Sequence, residues 1–224
     1  MIDYAAARLN MVEGQLRTNK VTDAAVLDAF LTIPRERFVP ASLRGIAYVD
    51  DDVPLGGGRT LIEPMVLARL LQLAAVGPAD KVLEIGGATG YATALLALMA
   101  AKVTALESNP VLAARARALL NELDLAKASV VEGRLTDGWS PNAPYDVILL
   151  NGAVGAIPHA VAEQLAEGGR LVGVVLAETG PAAGAGMGEA VLMTRAEGVL
   201  SSRPVFDAAV QVLPGFEPVP SFVF

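Results

Sequence analysis

The sequence predicts an α/β fold, a doubly wound, mostly parallel sheet preceded by an N-terminal helical cap. Three observations carry that prediction. Short apolar runs alternate with helical patterns over residues 80–176, the pattern of a parallel sheet covered on both faces. The first of those runs ends in a glycine-rich turn that opens a helix. Finally, 53% hydrophobic and 18% charged residues in a chain of 224 supply a large core, and with only 5% aromatics that core rests on Leu, Val, Ile and Ala.

The elements follow in order. Residues 3–75 read as helices and turns. Leu9, Val12 and Leu16 fall at helical spacing. Thr22 and Asp23 can cap a second helix carrying Val26, Leu27, Phe30 and Leu31, which Pro34 ends. Pro40, Pro54 and Gly56-Gly57-Gly58 mark a turn-rich stretch, and Pro64 stands where a third helix can begin. Strands are expected at residues 81–85, 103–106, 129–131, 146–150 and 170–175, with helices near 91–100, 110–122 and 158–166. Residues 177–188, rich in Gly and Ala, predict a loop; residues 190–194 and 204–213 predict two more strands. Pro214, Pro218 and Pro220 argue against a closing helix. The division expected is a cap at residues 1–75 and a ligand-binding domain at 76–224.

Composition narrows the chemistry. A formal net charge of -7 disfavours a nucleic-acid surface. There is no cysteine, which excludes disulfides, thiolate metal sites and a cysteine nucleophile. His159 is the one histidine, and no metal site is expected. Residues 1–10 lack the apolar block of a signal peptide. The apolar run from Ala92 to Ala101 ends at Lys102, short of the roughly 18 residues a bilayer span needs. A soluble, cytoplasmic protein without membrane partners is the expectation; the sequence leaves the oligomeric state open, with a monomer favoured over an oligomer.

The run Val82-Leu83-Glu84-Ile85-Gly86-Gly87-Ala88-Thr89-Gly90-Tyr91 is the most informative. Ligands of open α/β sheets sit beyond the carboxyl ends of the strands at such a turn. There glycines admit close approach, and a helix N-terminus offers free N–H groups. Glu107 closes the next strand, 21 residues after Gly86. An acid about 20 residues on can accept hydrogen bonds from both hydroxyls of a ribose. The bland alternative is a tight turn with Glu107 exposed. A dehydrogenase is disfavoured, because Gly86-x-Ala88-x-Gly90 is not G-x-G-x-x-G.

Several segments, in order, resemble the protein-L-isoaspartate O-methyltransferase family over nearly the whole chain. They are Pro34 to Pro40, Ala47-Tyr48-Val49-Asp50, Val82 to Gly86 with Gly90-Tyr91, Pro144 to Ile148, and Gln164-Leu165 with Gly168 to Val172. The resemblance implies a methyltransferase-type sheet, S-adenosylmethionine as methyl donor and S-adenosylhomocysteine as product. It also implies a protein or peptide carboxylate, isoaspartate in the family, as acceptor. It places Glu84, Gly86, Gly87, Ala88, Gly90, Glu107, Ser108, Arg134 and Leu135 at the cofactor, and Thr60, Ile62, Glu63 and Asn151 at the acceptor.

The chain departs from the family at three points. Ile62 stands where the family has a serine that contacts the substrate, and Glu63 adds negative charge beside it. Ala88 replaces the middle glycine of the turn. Arg134 replaces an aspartate expected near the adenine. The alternative reading is therefore a non-catalytic or re-purposed protein of the same fold. His159 is expected in a solvent-exposed or capping role, and Trp139 and the methionines Met11, Met65 and Met99 in packing roles.

Overall fold

The N-terminal segment forms short helices because apolar residues at helical spacing are repeatedly interrupted. The computed structural model describes residues 2–177 and 186–217. Helix α1 (Tyr4–Met11) is capped by Asp3, which accepts the Ala6 N–H, and continues into a π turn at Val12–Leu16. Asp23 caps α2 (Ala24–Thr32) by accepting the Val26 N–H. Met11, Val12, Leu16, Val26, Leu27 and Phe30 are buried, whereas Leu9, expected on the same face, is 50% exposed. The turn-rich stretch holds a hairpin that the sequence did not announce, β1 (Val53–Gly56) and β2 (Arg59–Leu61). Its two-residue turn, Gly57-Gly58, has positive φ at both positions, the backbone that two-residue hairpins favour. Helix α3 (Pro64–Ala74) starts on Pro64, as expected.

The main sheet begins with β3 (Lys81–Ile85), followed by α4 (Tyr91–Met99), β4 (Lys102–Glu107), α5 (Pro110–Glu122) and β5 (Ala128–Glu132). The chain then crosses to β6 (Tyr145–Val154), α6 (His159–Ala162), β7 (Leu165–Leu176), β8 (Gly186–Ala196) and β9 (Val199–Val210). The strand order is β5-β4-β3-β6-β7-β8-β9. The first five in that order pair in parallel, and β8 and β9 add antiparallel. The mostly parallel sheet is as expected. Helix α6 is shorter than foreseen, because Leu165 already pairs with Tyr145 in the sheet. Residues 186–188 of the expected loop belong to β8. The rest of that loop, 178–185, and Pro218 and Pro220 lie outside the described residues. The expected strand 204–213 stops at Val210, and Val212 makes a single bridge to Ala153.

The chain builds outward from β3 to β4 and β5, then returns to β6 on the other side. Connections leave β3 and β6 in opposite directions, which opens a crevice at their carboxyl ends. One apolar cluster runs from Met11 to Val210, so the N-terminal helices and the sheet share a core. A second cluster, with Leu83, Ile85, Ile148, Leu150 and Leu171, fills the other face. Among the described residues no helix is long and apolar enough to cross a membrane, and no group of His, Cys, Asp or Glu could hold a metal.

Candidate active site

The turn after β3 is built by its backbone. Gly86 and Gly90 have φ of 90°, and Ala88 has φ of 48°. Ala88 thus keeps a left-handed conformation that suits glycine, which costs a side-chain residue about 1 kcal/mol. The N–H groups of Gly86 and Gly87 both donate to the Leu106 carbonyl, at 2.9 and 3.1 Å, fastening the turn to the end of β4. Gly90 then opens α4 and packs against α5, where an added Cβ would lie 3.1 Å from that of Ala116.

Glu107 sits at the end of β4, fully buried. The exposed-acid alternative is therefore not what this fold adopts. Its Oε2 accepts the Ala88 N–H at 2.7 Å, and its Oε1 accepts the N–H groups of Ser108 and Asn109 at 2.9 Å each. One more partner occupies it. Arg59, carried in by the β1–β2 hairpin and only 4% exposed, donates from Nη1 to Glu107 Oε2 at 2.8 Å. Its Nη2 donates to the Gly86 carbonyl at 2.8 Å. A buried ion pair survives only where extra hydrogen bonds offset the lost hydration, and the three backbone donors and the Gly86 carbonyl do so here.

Leu213 closes the same place from above. It is buried, and its N–H donates to the Ala153 carbonyl at 2.8 Å, beyond the turn in β6. A Cβ added to Gly86 would lie 2.7 Å from Leu213 Cδ2 and 2.8 Å from Arg59 Nη2.

Glu84 is fully buried on β3. Thr93 Oγ1 donates to its Oε2 at 2.5 Å, and Asn151 Nδ2 to its Oε1 at 2.8 Å. Burial pushes its carboxyl up to about 7, against the pull of those two hydrogen bonds. Asn151, expected to face the acceptor, thus spends its amide on Glu84.

On the acceptor side, Thr60 donates to Asp52 Oδ2 at 3.2 Å, and the Glu63 N–H donates to Asp52 Oδ1 at 2.8 Å. The Ile62 side chain is buried in the main cluster. Its carbonyl accepts Arg35 Nη2 at 2.8 Å, while Arg35 Nε donates to the Ala47 carbonyl at 2.7 Å. Arg35 is fully buried and stands 5.0 Å from the centre of the Tyr91 ring. It ties the 60–64 loop to the N-terminal segment and to α4. Burial, and then the neighbouring Asp50, Asp52 and Asp51, push the Glu63 carboxyl up to about 7.

Two further residues expected at the cofactor follow β5. Leu135 is buried in the second cluster. The Arg134 side chain is 82% exposed, 3.9 Å from Asp137, and its charge faces solvent. His159 is exposed at the start of α6, and Trp139 packs on the second cluster, as expected. Sequence reasoning missed Arg59, Leu213 and the strut Arg35. Arg59 directly precedes Thr60, so a cation beside the acceptor segment was visible, but its pairing with an acid 48 positions away was not.

Residues 7–180 match the protein-L-isoaspartate(D-aspartate) O-methyltransferase family. The chain belongs to that family. Among its relatives, the protein-L-isoaspartate O-methyltransferase of Koribacter versatilis is 45% identical over 169 residues, 75% of this chain and 76% of the relative. That of Methylorubrum populi is 44% identical over 168 residues, 75% of this chain and 78% of the relative. A solved protein-L-isoaspartate O-methyltransferase superposes with a TM-score of 0.79 at 24% identity, covering 94% of this chain and 67% of that one. A Plasmodium falciparum structure in complex with S-adenosyl-L-homocysteine superposes at 0.75 and 17% identity, covering 95% and 99%. These superpositions show the methyltransferase fold. The family is one of O-methyltransferases whose methyl donor is S-adenosylmethionine.

The residues in hand fit that donor only in part. The glycine turn and Glu107 stand together at the crevice, but Arg59 takes the Glu107 oxygen that faces the turn. Arg59 and Leu213 also fill the space over Gly86. In this conformation Arg59 and Leu213 stand where the turn and the acid meet.

Proposed function

We propose that the chain transfers a methyl group from S-adenosylmethionine to a carboxylate of a protein or peptide, with isoaspartyl residues as the acceptor class. The observation that carries this reading is the juxtaposition of the Gly86–Gly90 turn and the Glu107 carboxylate at the switch point of the sheet, in a chain of this family. The donor supplies a methyl group already activated on a sulfonium. In this reading Glu107, with Ser108 beside it, would hold the ribose; Gly86, Gly87, Ala88 and Gly90 would hold the methionine end; and Leu135 and Arg134 would serve the adenine. Glu84 braces β3 against α4 and β6 through Thr93 and Asn151. Thr60, Ile62 and Glu63, within the cap of residues 1–75, would border the acceptor, Ile62 through its backbone, while residues 76–224 would form the donor domain. A cytoplasmic location goes with protein repair.

An acceptor carboxylate is ionised at neutral pH, with a reference pKa of about 4. Such a nucleophile needs alignment, and no general base. A site without histidine or cysteine suits that chemistry. Asp50, Asp51, Asp52 and Glu63 surround the acceptor loop with negative charge, which favours acceptors flanked by Lys or Arg. The test is transfer of labelled methyl from S-adenosylmethionine to an isoaspartyl peptide, its aspartyl counterpart, and lysine-flanked versions of both. Transfer confined to the isoaspartyl pair, faster with flanking lysine, is expected. No transfer to any of the four would overturn the reading.

A further inference from the structure

We infer that Arg59 and Leu213 form an internal latch that competes with the methyl donor for its own site. The inference rests on the donor reading above and adds a control that the reading does not contain. The guanidinium of Arg59 occupies Glu107 from the side of the turn and at the same time grips the Gly86 carbonyl. A ribose diol that binds Glu107 needs acceptor capacity on the same carboxylate, whose two oxygens already serve Arg59 and the N–H groups of Ala88, Ser108 and Asn109. The three backbone donors belong to the scaffold of the turn and of β4. Arg59 is the one partner delivered by a separate element, the two-stranded hairpin β1–β2.

Leu213 is the second half of the latch. It belongs to a segment beyond residues 7–180, the part of the chain that matches the family. That segment docks on the carboxyl end of β6 by three backbone bonds, Ala153 N–H to Gln211 O, Leu213 N–H to Ala153 O, and Gly155 N–H to Phe216 O, and by Leu213 and Phe216, both buried in the second cluster. It lays the Leu213 side chain across Gly86 and Gly152, with Cδ2 at 2.7 and 2.6 Å from where their Cβ atoms would stand. Hairpin and segment thus reach the same few ångströms from opposite ends of the sequence. A nucleoside enters only when Arg59 leaves Glu107 and Leu213 lifts from Gly86. The observed affinity is then the intrinsic affinity reduced by the fraction of molecules with the latch open.

Calorimetric titration of the full chain with S-adenosylhomocysteine tests this, comparing the wild type with Arg59→Gln, Leu213→Ala and the double variant. Arg59→Gln is expected to bind at least tenfold more tightly than the wild type, Leu213→Ala several-fold, and the double variant most tightly. A merely structural role for either residue would lower the melting temperature and leave affinity unchanged or weaker. Equal affinity in the wild type and both single variants overturns the latch and leaves the donor reading standing. No binding by any folded variant overturns both. Should Arg59→Gln not fold, Leu213→Ala decides by the same criterion.

Discussion

Arg59, which reaches into the donor crevice, directly precedes the acceptor loop of Thr60 to Pro64, yet the two regions are held in different ways. In the crevice the scaffold is retained. Gly86, Ala88 and Gly90 hold the left-handed turn, and Glu107 stays buried beside it. Side chains of the protein itself, Arg59 and Leu213, lie against the turn. In the acceptor loop the backbone is pinned by Asp52 and Arg35, and the side chains have changed character, with Ile62 turned into the core and Glu63 added to an acidic surround. The first kind of change is conformationally reversible and the second is not. A crevice closed by an ion pair can open when a competitor offers better partners, whereas a lost hydroxyl stays lost.

The sharpest way to break this contrast is to remove the acid. Glu107→Ala strands a buried Arg59 and three backbone N–H groups, and is expected to cost about 3–5 kcal/mol in urea unfolding. A loss under about 1 kcal/mol would mean the pair is not the buried anchor described.

Next is Glu84, whose carboxyl is raised from 4.5 to about 7. The fold favours its protonated form, so its contribution is complete below the unfolded value and is lost as pH rises through about 7. Relative to Glu84→Gln, the wild type should lose about 3 kcal/mol between about pH 4.5 and 7 and hold a constant offset above that. Parallel stability curves for the two proteins would contradict the burial of a charge there.

On the acceptor side, Ile62→Ser places a hydroxyl in the apolar cluster. It should lower stability by about 2–3 kcal/mol without raising transfer to an isoaspartyl peptide. Smaller again, Ala88→Gly relieves a left-handed alanine and should gain up to about 1 kcal/mol in melting experiments. Arg134→Ala, at a side chain open to solvent, should move stability by less than about 0.5 kcal/mol and leave nucleoside affinity unchanged. A clear drop in affinity would mean that the Arg134 side chain itself holds the nucleoside.

The legible part of this protein was periodic or local. The strands at 81–85 and 146–150, the helix at 110–122, Pro64 at the head of α3, and the cap Asp23 could all be read, because each depends on residues within one or two turns of chain. The hairpin at 53–61 escaped, since three consecutive glycines announce a turn but not what pairs across it. The overlong helix expected at 158–166 failed for the converse reason: Leu165 has helical neighbours in sequence and a strand neighbour, Tyr145, in space.

By itself the sequence determined the family, the alternation that builds the sheet, and the placing of a glycine turn and an acid at the ends of adjacent strands, because hydrophobic period and turn chemistry are properties of contiguous residues. Only the tertiary structure decided what stands in the crevice. Arg59 meets Glu107 across 48 positions and Leu213 meets Gly86 across a far longer span. Contacts of that range depend on how a hairpin and a terminal segment fold back over the sheet, and no local pattern encodes the partner of a buried charge.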